Sequence, residues 1–216
     1  KLDILGTALL IGGTVCLVLF TTVGGGSAGW GSFEAIALGV ACVVCFVLFV
    51  VAERHAQEPI MPLSLFKNRN FIVASLAGLL IMVAMMGTIS YLPTYMQIVN
   101  GASATESGYM MLPTMVGMMI MSTVSGFLAS KTGRYKWMPV ASCLVAAVAL
   151  VLMSTIAVET STIMMFVYLF ILGFGMGLGQ QILVLIVQNE FPHAMVGTAT
   201  SSNNYIREVG ATLGSS

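Results

Sequence analysis

Long apolar runs alternate with brief polar interruptions along the chain. The runs at 4–23, 35–52, 71–96, 109–130, 138–158 and 163–188 contain no Asp, Glu, Lys or Arg, and a further helical stretch opens near Ala194. Each run approaches the roughly 20 residues that a helix needs to cross the hydrocarbon core of a bilayer. None alternates with the period of two that marks a half-buried strand. In lipid, only helices and closed barrels satisfy their own backbone polar groups, and unbroken apolar runs select the helix. The pattern predicts an all-α polytopic membrane protein with six full spans and the start of a seventh. The interruptions are short except for residues 53–70, ERHAQEPIMPLSLFKNRN, which hold two prolines and the densest polar content. That stretch is the expected boundary between a first helical pair, 1–52, and a later bundle, 71–216.

Composition agrees. Of 216 residues, 7% are charged and 58% hydrophobic, against roughly 25% charged in soluble domains; mean hydropathy is +0.99. The net charge of zero matters less than where the charges lie. Alternate interruptions carry Lys1, then Arg54, Lys67 and Arg69, then Lys131, Arg134 and Lys136. Those between them, 24–34, 97–107 and 159–162, have no Lys or Arg and hold Glu34, Glu106 and Glu159. Cytoplasmic loops are enriched in Lys and Arg, so loops 53–70 and 131–137 are expected to be cytoplasmic and the other three external. The cysteines, Cys16, Cys42, Cys45 and Cys143, lie inside apolar runs, where a thiol behaves as a small hydrophobe. No disulfide framework, metal site or cofactor is expected. The chain opens on Lys1 rather than Met and stops soon after Gly214; both ends read as cut, and a fragment of a longer polypeptide is expected.

The basic turn at 126–136, GFLASKTGRYK, resembles the loop signature of the major facilitator superfamily, G-x-L-a-D-[RK]-x-G-R-[RK]-x. Gly126, Leu128, Lys131, Gly133 and Arg134 match it; Ser130 replaces the family's Asp, and the last basic residue is displaced to Lys136. Further stretches resemble the bacterial fourteen-helix drug/proton antiporters of that superfamily. They are YLPTYMQIVNGASATESGYMMLP (91–113), GFGMGLG (173–179), VQNEFP (187–192) and GTATSSNNYIREVGATLGSS (197–216). The resemblance implies that 1–52 is the extra helix pair between two six-helix bundles, and that 53–70 is a cytoplasmic connector. It implies that 71–216 is a truncated C-terminal bundle, whose N-terminal counterpart lies elsewhere on the same polypeptide.

Within the spans, Arg207 and Glu208 are the ionisable pair, and such residues mark functional sites by default. Arg207 lies about 20 Å along a helix that starts near Ala194, or closer to the surface if the helix starts near Thr200. Thr200, Asn203 and Arg207 share one stripe, and Asn204 and Glu208 an adjacent one, facing a water-filled cavity or a partner helix. Gln180 and Gln181 would bond a substrate or a neighbouring helix. Tyr91 and Tyr95, on one face with Thr88, would line the cavity or sit in an interfacial belt. Gly173, Gly175, Gly177 and Gly179 form two overlapping G-x-x-x-G pairs suited to close helix packing. They are not a dinucleotide fingerprint, since the required glycine falls on Leu178 and no strand precedes it. Met111, Met115, Met118 and Ser122 step along one face of the fourth span, as an adaptable binding surface or as packing. Pro93 and Pro113 should kink or end helices near the external side.

The resemblance implies proton-coupled efflux of amphipathic drugs or toxic compounds by alternating access, with small amphipathic molecules, protons and membrane lipids as partners. Glu208 is the candidate proton carrier in this stretch. The same fold exporting a lipid, siderophore or metabolite is the alternative. An embedded enzyme would need His or carboxylate clusters inside the spans, whereas His55 and His193 lie in the interruptions. No enzymatic activity and no nucleic-acid binding are expected.

Overall fold

The computed structural model describes residues 3–27, 29–56, 58–133, 135–157 and 160–215. Among the described residues eight α-helices follow one another: α1 (Ile4–Gly25), α2 (Phe33–His55), α3 (Arg69–Val99), α4 (Ala104–Met110), α5 (Leu112–Thr132), α6 (Met138–Ser154), α7 (Thr162–Glu190) and α8 (His193–Ser215). A five-residue 3-10 helix, Leu63–Lys67, precedes α3. Among the described residues five segments are long and apolar enough to span a membrane: α1, α2, α3, the stretch Ala104–Thr132 and α7. α6 is apolar but shorter, at 17 residues. The fold is an all-α polytopic membrane assembly.

Side-chain caps set most helix starts. Asp3, Ser32, Asn68, Ser103 and Ser161 each accept a hydrogen bond from a backbone N–H of the first turn, satisfying donors that the helix itself leaves free. Where the boundaries differ from the apolar runs, local chemistry explains the shift. The fourth run is divided at Met111, two residues before Pro113, which has no N–H to continue the ladder of α4; α4 itself opens on a reciprocal capping box of Ser103 and Glu106. Pro113 then sits in the first turn of α5, where its missing N–H costs nothing. Pro93 does not end its helix; α3 continues past it to Val99. The fifth run stops at Ser154 rather than 158. The Thr155 hydroxyl donates to the Leu152 carbonyl at 2.7 Å and the Thr160 hydroxyl accepts from the Ala157 N–H at 2.8 Å, and such local bonds compete with the helical ladder.

α7 is the most buried helix, packed by α3, α5 and α6. Its glycines make this possible by pointing in two directions. A Cβ on Gly173 would collide with the Thr114 backbone of α5, and one on Gly177 would lie 2.8 Å from the Met118 Cα of the same helix. α5 reciprocates with Gly117, whose Cβ would lie 2.6 Å from the Phe170 carbonyl oxygen. Gly175 and Gly179 turn instead to α6, against the Ala146 N at 2.8 Å and the Ser142 side chain. The Ser142 hydroxyl donates to the Gly175 carbonyl at 2.7 Å. A glycine-rich stretch of about two turns thus seats two neighbours at backbone contact.

α8 packs on α3 by the same device. Gly210 rests on Leu79, whose Cα would lie 3.0 Å from an added Cβ, and Gly214 on Val83, at 2.8 Å. Gly78 of α3 leaves room for the stem of Arg207; a Cβ there would lie 2.8 Å from Arg207 Cγ and 3.0 Å from Cδ. α1 and α2 pair with each other through glycine against aromatic contacts, Gly13 on Phe46 and Gly39 on Phe20. Their polar ties beyond the pair are specific. The Thr14 and Tyr205 hydroxyls are 2.6 Å apart, and Glu53 accepts from the N–H groups of Ile60 and Met61 at 3.0 and 3.1 Å.

The basic interruptions gather at one end of the bundle. Glu190 at the end of α7 accepts from Asn68 and Asn70 at the start of α3, both at 2.9 Å. Asn189 donates to the Tyr135 hydroxyl at 2.8 Å. Phe71 stacks edge-on with both Phe66 and Phe191. The outer surface is apolar: Val140, Leu144, Val148 and Val151 make an exposed stripe along α6, and Val40, Val43 and Val47 another along α2. Contiguous apolar faces of this length are untenable in water and are what hydrocarbon requires.

Two measurements test this packing. Gly177→Val should destabilise the protein in detergent by about 1–3 kcal/mol or abolish its monodisperse elution, the ordinary range for overpacking. Gly126→Val, at a position with no atom within 4 Å of an added Cβ, should elute and melt like the parent. Gly78→Ala should lower thermal stability, and most of the loss should vanish when Arg207→Ala removes the clashing stem. A double-mutant coupling near zero would contradict the Gly78–Arg207 contact.

Candidate functional site

Helical periodicity grouped the polar residues of α8 into two stripes, and the fold separates their fates. Asn203 is 1% exposed and Arg207 8%, both turned into the seam with α3. The Asn203 amide donates to the Ser75 hydroxyl at 3.0 Å, while its own carbonyl oxygen is buried without a partner among the described residues. Arg207 lies over Gly78, and the next residue, Glu208, supplies a nearby opposite charge. The other stripe is open: Gly197, Ser201, Asn204 and Glu208 are all exposed. Polar residues along a membrane helix require water or protein to face them.

Gln180 and Gln181 divide in the same way. Gln180 is half-buried, with its amide 3.7 Å from the Met85 sulfur of α3. Gln181 is exposed and joins Gly126, Ser130 and Gln188 in lining an open cavity of about 440 Å³ between α5 and α7. Tyr91 is 55% exposed. Tyr95 instead packs on the cluster of Leu92, Met96, Met111, Met165 and Leu169. Met111 is buried in that cluster whereas Met115 is exposed, so the methionines of the fourth run do not form one open surface.

These residues do not meet at a single point. Ser75, Met85 and Tyr95 mark where α8, Gln180 and the tyrosine face reach α3. At 1.5 Å per residue, successive marks are about 15 Å apart. The candidates are therefore strung along the length of α3, with the open α8 stripe as their most polar surface.

The loop signature is placed as follows. Gly133 ends α5 in the left-handed conformation, φ 64°, and its N–H bonds the Ala129 carbonyl at 3.0 Å; glycine alone takes this geometry freely. The Lys131 ammonium lies 5.7 Å from the Phe127 ring centroid. Leu128 is exposed, and Gly126 faces open space, with no described helix in close approach. Arg134 lies outside the described residues.

Sequence reading missed Ser75, Gly78, Ser142 and the Thr14–Tyr205 contact. Apart from Tyr205, each is a small or hydroxylic residue inside an apolar run. The pair Gly210 and Gly214 had a readable signal, since GATLG is itself a G-x-x-x-G motif.

Comparison with known proteins completes the picture. The family model described as Major Facilitator Superfamily matches residues 4–215. An uncharacterised MFS-type transporter of Mycobacterium tuberculosis is 39% identical over 213 residues, 99% of this chain and 31% of that protein. The multidrug transporter protein MdtP of Bacillus subtilis is 37% identical over 212 residues, 98% of this chain and 39% of that protein. A tetracycline resistance determinant of Streptomyces rimosus is 31% identical over 214 residues, 99% of this chain and 61% of that protein. The chain thus spans from 31% to 61% of the length of these relatives. The helices, the glycine-built seams and the matched residues together place this chain, a multi-pass membrane protein of a transporter rather than an enzyme family, in the major facilitator superfamily.

Proposed function

We propose that the polypeptide carrying this chain exports amphipathic drugs or toxic compounds in exchange for protons by alternating access. The carrying observation is the open stripe Ser201, Asn204 and Glu208 on α8. Hydrocarbon cannot solvate a carboxylate and an amide a few residues apart, so this face belongs on an aqueous path or against a second bundle. Transporters of this architecture hold substrate near the bilayer midplane, between halves that rock about it. The names of the multidrug and tetracycline-resistance relatives support drug efflux as the direction and cargo.

In this reading residues 1–52 are an accessory helix pair, 53–70 a cytoplasmic connector and 71–216 part of one transporting bundle. Gln181 and Asn204 offer amides to substrate, Tyr91 an aromatic edge, and Glu208 a protonatable group. Asn203 and Arg207 position α8 against α3. Gly126 and the open cavity beside Gln181 face the other bundle. The N-terminal bundle supplies the remaining coupling carboxylates, so residues 1–216 alone transport nothing.

The test is efflux of a cationic fluorescent dye from proteoliposomes holding the full-length protein, with an imposed proton gradient. The gradient should drive the dye against its concentration difference, and Glu208→Gln should slow gradient-driven efflux about tenfold or more. Dye movement indifferent to the gradient would overturn proton coupling. Residues 1–216 alone catalysing dye counterflow would overturn the need for a second bundle.

A further inference from the structure

At the basic end of the bundle, α3, the turn into α6 and the end of α7 surround a cavity of about 500 Å³. Its two ends differ in chemistry. Arg69 and Lys136 stand at the mouth beside Asn70 and Tyr135, while Val73, Ala77, Val140 and Ile186 line the part that rises along the helices. Val73 and Val140 are 58% and 62% exposed, so this apolar wall opens sideways, toward hydrocarbon. Trp137, 55% exposed between Lys136 and α6, is the residue type that settles at headgroup level.

The cations are placed against the local field. Arg69 is the first residue of α3, and Lys136 lies two residues before α6 begins. Helix N-termini are positive ends that favour acids, yet neither helix has an acidic residue in its first turn, and α6 has no side-chain cap. Among the described residues the one carboxylate lining the cavity is Glu190, which accepts an amide hydrogen bond on each oxygen, from Asn68 and Asn70, and whose single negative charge also acts on Lys136. Two cations, two helix N-termini and one committed carboxylate leave an excess of positive charge at the mouth of an apolar crevice.

We propose that this crevice binds the phosphate headgroup of an anionic phospholipid from the cytoplasmic leaflet, with Arg69 and Lys136 as its cationic ligands. The acyl chains leave along Val73, Ala77 and Val140. A lipid rather than a soluble phosphate is the occupant, because the apolar wall gives a free anion nothing and gives a lipid a continuous path into the bilayer. The bound lipid bridges α3 to α6, two helices otherwise joined mainly through α7. The assignment is independent of what the protein transports.

The test uses the purified full-length protein in detergent, with bound lipid counted by native mass spectrometry and stability read as a melting shift. Phosphatidylglycerol should bind and raise the melting temperature; phosphatidylcholine and glycerol 1-phosphate at equal concentration should not. Basic side chains near an anionic lipid surface contribute about 1 kcal/mol each. Arg69→Gln with Lys136→Gln should therefore cut the preference for phosphatidylglycerol over phosphatidylcholine about 30-fold. Lys67→Gln, outside the cavity, should change it less than twofold. Val140→Trp, which narrows the crevice with both charges intact, gives a second reading should the double variant fail to fold, and it too should lose the lipid. Equal binding of the two lipids, an unchanged preference in the double variant or in Val140→Trp, or a loss as large in Lys67→Gln would overturn the proposal. So would an equal shift with glycerol 1-phosphate, which would identify a soluble-anion site.

Discussion

Helices in a bilayer gain little by hiding leucine from lipid, because the lipid tails are as apolar as the leucine. Their association depends on contact: how near two backbones can come, and how many atoms then touch. This constraint governs the present fold. α7 holds α5 on Gly173 and Gly177 and α6 on Gly175 and Gly179, while α8 holds α3 on Gly210 and Gly214. Remove the glycines, and the seams would open to a separation at which dispersion fades and the interhelical Ser142–Gly175 bond could not form. The core is accordingly a set of backbone seams with methionine and leucine filling the spaces between them, rather than an oil drop.

The same close seams explain why polar residues on one helix have different roles. A side chain aimed into a seam must be satisfied there, as Asn203 is in part by Ser75, and it then specifies register between the two helices. Arg207 joins it because its long stem can lie in the groove that Gly78 leaves. Residues one position on, Asn204 and Glu208, miss the seam by the 100° turn of the helix and stay open. Structural and solute-facing chemistry are thus separated by a single step in sequence, which is how one helix can be anchored and still present a polar path.

Much of the fold was legible because lipid imposes a simple code: apolar length sets the spans, and Lys and Arg mark one side. The errors fell where local hydrogen bonding overrode hydropathy. Pro113, which lacks a backbone donor, divided one run at Met111, and the hydroxyls of Thr155 and Thr160 cut another short. The candidate site was less legible. Periodicity shows which residues share a face, as with Thr200, Asn203 and Arg207, but not whether a neighbour covers that face. Nothing in the residues alone says that Gln180 meets Met85 while Gln181 stays exposed. The G-x-x-x-G motif of α7 could be read as packing, yet its two partners, α5 and α6, required the fold.

The attachment of α1 and α2 follows from this logic. Their mutual contact is built from glycine against aromatic rings, and only sparse contact joins the pair to the other helices. Contact with the remaining helices is therefore made by polar groups at separate levels. The Thr14–Tyr205 hydroxyl pair lies within the spans, and Glu53, 4% exposed, holds the connector through the N–H groups of Ile60 and Met61. A hydroxyl pair away from water has no solvent to exchange with, so it holds the two helices together at that level. Tyr205 sits between Asn204 and Arg207 on α8, the helix with the open polar stripe. The Thr14–Tyr205 pair therefore ties α1 to the same helix that presents the polar stripe, while Glu53 ties the end of α2 to the backbone of Ile60 and Met61.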